Sequence, residues 1–119
     1  MRIAALDLGS NSFHLLVVET RPDGSFLPLA REKEMLRLGD VVARAGRLSE
    51  EAIESAIETV RRFRAIADVQ HCDEIVAMAT AAMRQADNGP EVAERIESAT
   101  GVAIQVISGI REAQLVFDA

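Results

Sequence analysis

Asp7-Leu8-Gly9-Ser10-Asn11-Ser12 stands between two apolar runs, Ile3-Ala4-Ala5-Leu6 and Leu15-Leu16-Val17-Val18. Its residue types suit the binding of an anion. A glycine followed by small hydroxyl and amide side chains can aim successive backbone N–H groups at an anion without steric obstruction. A carboxylate stands just before them, at a strand end. Phosphate is the anion that fits this combination. Gly, Ser, Asn and Asp also make ordinary hairpin turns. From Asp7 to Ser12, however, every position but Leu8 is polar or glycine, which is more than a two-residue hairpin requires.

Two further charged residues are candidates. Arg84 follows the apolar run Ile75-Val76-Ala77-Met78-Ala79 in a mostly small or neutral segment, and a guanidinium can bind phosphate oxygens bidentately. Glu112 falls in the first turn of the last predicted helix. An acid there gains roughly 0.3–1 kcal/mol from the helix dipole without any catalytic duty. His14, within an apolar strand, reads as a packed or hydrogen-bonded imidazole, and His71 lies in a connecting loop. Neither has a catalytic partner in the sequence. Cys72 beside His71 falls short of a metal-site pattern and reads as a reduced, partly buried thiol.

The bulk composition narrows the function classes. The chain has 119 residues, 49% hydrophobic and 27% charged, enough for one soluble domain with a real core. With no Trp, no Tyr and scattered Phe it offers no stacking platform for single-stranded nucleic acid. A net charge of −6 argues against non-specific binding to nucleic acid or an anionic membrane, so an anionic substrate must be held locally. The apolar start is cut at Asp7, too short for a signal-peptide core or membrane span, and the expected location is cytoplasmic.

The elements that would position these residues follow from periodicity. Ile3–Leu6 and Phe13–Thr20 read as short strands apolar on both faces. After the turn Pro22-Asp23-Gly24, Phe26 to about Leu38 reads as a third, charged strand nearer an edge. Gly39 to Gly46 reads as a loop. Ser49 is a good N-cap for a long amphipathic helix, in which Ile53, Ile57, Val60, Phe63 and Ala67 form the buried stripe and Arg61, Arg62 and Arg64 a solvated face. Glu74–Ala79 is a strand that runs into the polar segment Thr80–Asn88. Asn88 as cap, Pro90 and Glu91 open a helix that ends at Gly101. Val102–Ile107 is the fifth strand and Ser108-Gly109 begins the last helix. The order β-β-β-α-β-α-β-α implies a mixed α/β sheet: three hairpin-joined strands pair antiparallel and the βαβ crossovers pair parallel. That order resembles the ribonuclease H-like half of an actin-like ATPase fold.

Three segments, in this order and spacing, carry a more specific resemblance: Asp7-Leu8-Gly9-Ser10-Asn11-Ser12-Phe13-His14, Ala79-Thr80-Ala81-Ala82-Met83-Arg84-Gln85-Ala86-Asp87-Asn88, and Ile107-Ser108-Gly109-Ile110-Arg111-Glu112-Ala113-Gln114-Leu115. Together they resemble successive motifs of the exopolyphosphatase and guanosine pentaphosphate phosphatase family, Ppx/GppA. The resemblance covers nearly the whole chain. It implies a two-lobed, actin-like enzyme with phosphate bound in the cleft between lobes, of which this chain is the first lobe. The family's second glycine-rich loop would come after Ala119, so the expectation is a truncated piece or a naturally isolated half with the C-terminal lobe missing.

The implied activity is Mg²⁺-dependent hydrolysis of terminal phosphate from inorganic polyphosphate or guanosine pentaphosphate. Asp7 would be the metal ligand, and Gly9, Ser10, Asn11, Ser12 and Arg84 would bind phosphate. Glu112 matches the family's proposed general base, although Arg111 beside it departs from the acidic or polar residue often found there. Two alternatives stand beside this reading. One is an actin-fold sugar or acetate kinase, whose family lacks the Arg84 and Glu112 motifs. The other is a non-catalytic lobe that binds phosphate or forms a homodimer through its uncovered face.

Overall fold

The computed structural model describes residues 1–106. Its elements are β1 (Arg2–Leu8), β2 (Ser12–Thr20), β3 (Phe26–Met35), α1 (Leu38–Ala45), α2 (Glu50–Val69), β4 (Glu74–Ala79), α3 (Ala81–Gln85), α4 (Gly89–Thr100) and β5 (Ile104–Val106). The strands form one five-stranded sheet in the order β3-β2-β1-β4-β5. As the connections dictate, β1/β2 and β2/β3 pair antiparallel while β1/β4 and β4/β5 pair parallel. The expected last helix, with Ser108, Gly109 and Glu112, lies outside the described residues.

Four expectations need correction. The first concerns Gly39 to Gly46, which is mostly helix rather than loop: Leu38, Val41 and Val42 recur at helical spacing, and Leu38 and Val42 are buried. The flanking glycines disguise that stripe. Second, β3 ends at Met35, because the Leu36 and Arg37 N–H groups turn to the Asn11 carbonyl instead of continuing the ladder. Third, part of the polar segment after β4 is the short helix α3.

The fourth correction concerns β1 and β2, which are not apolar and buried on both faces. Ala4, Leu6 and Leu8 are buried, as are their register partners Val17, Leu15 and Phe13, whereas Ile3 and Ala5 are half-buried and Asp7 is exposed. Among the described residues, helices fully cover only one sheet face. There Phe63 and Val60 of α2 and Val92 and Ile96 of α4 join Leu6, Leu8, Phe13 and Leu15 in a single core.

The helix caps divide between expectation and surprise. Ser49 caps α2, its Oγ accepting from Ala52 N at 3.2 Å. Gly101 closes α4 in the left-handed region, as Gly at that position should. Asn88 does not cap α4. Its buried amide instead spans to Leu48, accepting from Leu48 N at 2.9 Å and donating to Leu48 O at 3.0 Å. The segment before α2 and the start of α4 are thereby fixed to each other.

Candidate phosphate-binding site

Leu8 and Phe13 form the last β1/β2 pair, and Gly9 N donates across the loop mouth to Ser12 O at 3.1 Å. The loop then leans on the shoulder formed by the end of β3 and the start of α1. Ser10 O accepts from Gly39 N at 2.7 Å, and Asn11 O accepts from Leu36 N and Arg37 N, both at 2.9 Å. In a trans peptide the N–H points opposite to the C=O. Tying the Ser10 and Asn11 carbonyls to the shoulder therefore turns the Asn11 and Ser12 N–H groups away from it. Among the described residues, nothing accepts a hydrogen bond from the Ser10 or Asn11 N–H. The Asn11 N–H, turned from the shoulder and without a described acceptor, is a donor of the kind an anion requires.

The shoulder explains Gly39, read from the sequence only as loop. A Cβ there would lie 3.1 Å from Ser10 Cβ, so glycine is what lets the helix start approach the loop this closely. A glycine inside a segment of helical apolar spacing was the available signal for it.

Arg84 reaches the same end of the sheet by a separate route. β1 and β4 run parallel with Leu8 opposite Ala79, and Thr80 N donates to Leu8 O at 3.3 Å. The chain thus leaves β4 beside the place where it leaves β1 for the loop, at the carboxyl ends of parallel strands where ligands bind in open α/β sheets. Thr80, mostly buried and missed in the sequence, starts α3, and Arg84 is exposed in its last turn. Gly89 holds that helix down: any Cβ at Gly89 would collide with the Met83 carbonyl.

Asp7 is exposed on the sheet face away from the core, with His14 and Met78 as its register neighbours. Neither Asp7 nor Arg84 is an isolated charge; each takes part in a polar interaction within the fold. His14 is exposed and hydrogen-bonded rather than packed, with Nε2 3.0 Å from Ser12 Oγ. His71 lies in the turn after α2, far along the sequence from any of these groups, and Cys72 is half-buried, its thiol pushed up from the ordinary value mainly by burial. Glu112 lies outside the described residues.

The donor set bears on a metal. Among the described residues no three His, Cys, Asp or Glu side chains cluster closely enough to enclose an ion. One exposed carboxylate beside a phosphate-type loop does fit Mg²⁺, which takes one or two carboxylates and completes its shell with phosphate oxygens and water. A surface depression between β3 and α2 does not suit an anion: Glu34, Glu51, Glu54 and Glu58 line it, its Arg61 and Arg62 are ion-paired to Glu58 and Glu34, and no residue of the Gly9–Ser12 loop takes part. Among the described residues no helix is long and apolar enough to cross a membrane.

Comparison with known proteins bears on the family and the fold. Residues 16–119 match the model of the Ppx/GppA phosphatase family. Exopolyphosphatase 1 of Mycobacterium leprae (strain TN) is 37% identical over 117 residues, covering 98% of this chain and 34% of that protein. The crystal structure of an exopolyphosphatase from Cytophaga hutchinsonii ATCC 33406 superposes with a TM-score of 0.92 at 34% identity, over 98% of this chain and 37% of that one. The Aquifex aeolicus member of the Ppx/GppA family superposes with a TM-score of 0.88 at 31% identity, over 94% of this chain and 36% of that one. The chain therefore spans about a third of the length of the relatives it matches, and its fold is that of an actin-like ATPase lobe.

Proposed function

The chain belongs to the Ppx/GppA phosphatase family, and on that premise we propose that it is the first lobe of a hydrolase releasing terminal phosphate from inorganic polyphosphate. The observation that carries this reading is the Gly9–Ser12 loop, whose Ser10 and Asn11 carbonyls are tied to the β3–α1 shoulder so that the Asn11 and Ser12 N–H groups turn away from it. Relatives named exopolyphosphatase support the choice of substrate. Guanosine pentaphosphate ends in the same anhydride-linked phosphate, so it is the second substrate of the reading.

Positioning and charge neutralisation supply most of the catalysis in such chemistry. The loop N–H groups and the Ser10 and Ser12 hydroxyls hold the terminal phosphate oxygens, and the Arg84 guanidinium binds them from α3. Asp7 is the residue that would hold Mg²⁺, which when bound neutralises phosphate charge. Glu112 orients the attacking water and takes its proton. The water oxygen bonds to the terminal phosphorus, the phosphorus–bridging oxygen bond breaks, and the electron pair leaves on the shortened chain. A C-terminal lobe closes the other side of the cleft.

A cytoplasmic setting and self-association belong to the same proposal. Among the described residues no helix covers the sheet face opposite the core, which leaves Ile3, Ala5, Leu16 and Met78 half-buried and Val76 37% exposed. A second copy is the proposed cover, and a strictly monomeric sedimentation profile at high concentration would refute that part.

The central test is phosphate release from polyphosphate and from guanosine pentaphosphate in Mg²⁺, measured on the full-length gene product. Release is expected from the native protein, with losses of at least about 100-fold in Asp7→Asn, Arg84→Gln and Glu112→Gln, the scale of losing one transition-state contact. No release from either substrate would overturn the reading, and full activity of Glu112→Gln would remove the general-base role.

A further inference from the structure

The run Arg31-Glu32-Lys33-Glu34 looks like a charge-neutral edge in the sequence, but strand geometry sorts it by face. β3 pairs with β2 in the register Leu16↔Arg31, Leu15↔Glu32, His14↔Lys33 and Phe13↔Glu34. Alternation therefore places Glu32 and Glu34 on the face of Leu15 and Phe13, and Arg31 and Lys33 on the opposite face beside His14. On the first face Glu34 is paired with Arg62 at 3.3 Å. On the second, no described carboxylate forms an ion pair with Arg31 or Lys33. A chain of net charge −6 thus carries a basic strip with no ion-pair partner among the described residues.

The strip is continuous with the phosphate loop. Ser12 ends that loop and begins β2, its Oγ lies 3.0 Å from His14 Nε2, and His14 is opposite both Asp7 on β1 and Lys33 on β3. The four residues from Ser12 to Leu16, level with Arg31, cover about 14 Å at ~3.4 Å per residue. A shallow depression along this stretch is lined by His14, Leu16, Arg31 and Lys33, with Leu15 and Glu32 at its side. An anion seated on the loop N–H groups would meet the next positive charges in this direction. His14 adjoins Ser12, but orthophosphate on the loop is too small to reach the lysine and arginine, and a run of a few phosphates does not span the stretch to Arg31, whereas an extended unbranched polyanion can.

We propose that His14, Lys33 and Arg31 form a distal subsite for the following phosphates of an extended inorganic polyphosphate whose terminal phosphate lies in the Gly9–Ser12 loop. The subsite rests on the phosphate-loop reading above and adds chain-length discrimination to it. Long chains gain contacts that tripolyphosphate does not reach, and the gain is electrostatic and weakens with salt.

The 119-residue chain, titrated calorimetrically with tripolyphosphate and with long-chain polyphosphate while its amide NMR spectrum is followed, tests this directly. Both ligands should shift Ser10 and Asn11, and only the long chain should shift Arg31 and Lys33. The long chain should bind roughly tenfold tighter per chain end, an advantage that Arg31→Gln/Lys33→Gln removes without changing tripolyphosphate affinity. Arg21→Gln/Arg47→Gln, which removes the same net charge elsewhere on the surface, should keep it. Persistence of the advantage in the first double variant, or equal loss in the second, overturns the subsite while leaving the loop reading intact. Ser10 and Asn11 unmoved by either ligand would overturn the loop reading and the subsite together.

Discussion

Single side chains do more joining than capping in this fold, and Asn88 is the clearest case. Its amide satisfies both the N–H and the C=O of Leu48 from a buried position. Replacing it leaves two polar groups without their partner, each costing about 1–3 kcal/mol if water does not reach them. Asn88→Ala is expected to lower the urea midpoint at unchanged m-value, by far more than loss of an exposed cap would. The exposed Glu50–Arg95 pair sets a pH dependence of known sign. Two hydrogen bonds from Arg95, at 2.8 and 2.5 Å, hold the Glu50 carboxyl below its ordinary 4.5. The folded pKa is depressed, so the contribution is fully present above the unfolded value and lost as pH falls through the folded one. Stability measured from pH 6 down to about 3 should therefore fall less in Glu50→Gln than in the native chain.

Among the elements, the two carriers of the site are held by close backbone approaches rather than by large side chains. α3 has only five residues and presents Arg84 because Gly89, at the start of α4, lets the Met83 carbonyl lie against it. Gly89→Ala must displace that carbonyl, an overpacking cost of typically 1–3 kcal/mol. Denaturation should show the loss in stability, and weaker tripolyphosphate binding should accompany it because Arg84 moves with α3. Unchanged affinity would mean that Arg84 does not contact the anion. The elements also show where local pattern fails. The α2 stripe and its Ser49 cap were legible because cap chemistry and 3.6-residue periodicity agree. α1 was not, because its glycines outweigh a short apolar stripe when only neighbours in sequence are considered. Gly39 faces Ser10, 29 positions away in sequence.

For the molecule as a whole, net charge and local charge point in opposite directions. The net −6 repels a polyanion, so binding must depend on a few donors and cations concentrated at one end of the sheet. Duplex DNA, too broad to align with the β2–β3 strip, is expected to show no mobility shift at about 0.1 M salt, where the Debye length is ~10 Å. A shift comparable to that given by polyphosphate would mean that generic charge, not the loop, is doing the binding. The amino-acid order by itself determined the strand and helix alternation, hence the mixed sheet, because hairpin turns force antiparallel pairing and βαβ crossovers force parallel pairing. It also marked Asp7, the Gly9–Ser12 loop and Arg84, because residue type at a strand end is local information. Only the tertiary structure decided that the loop and Arg84 emerge side by side, since that depends on β4 pairing with β1 across some seventy residues of sequence. It alone decided which way the loop carbonyls face, because their partners come from the β3–α1 shoulder. It also separated Arg31 and Lys33 from Glu32 and Glu34, because a pleated strand sends alternate side chains to opposite faces and the register with β2 fixes which face is which.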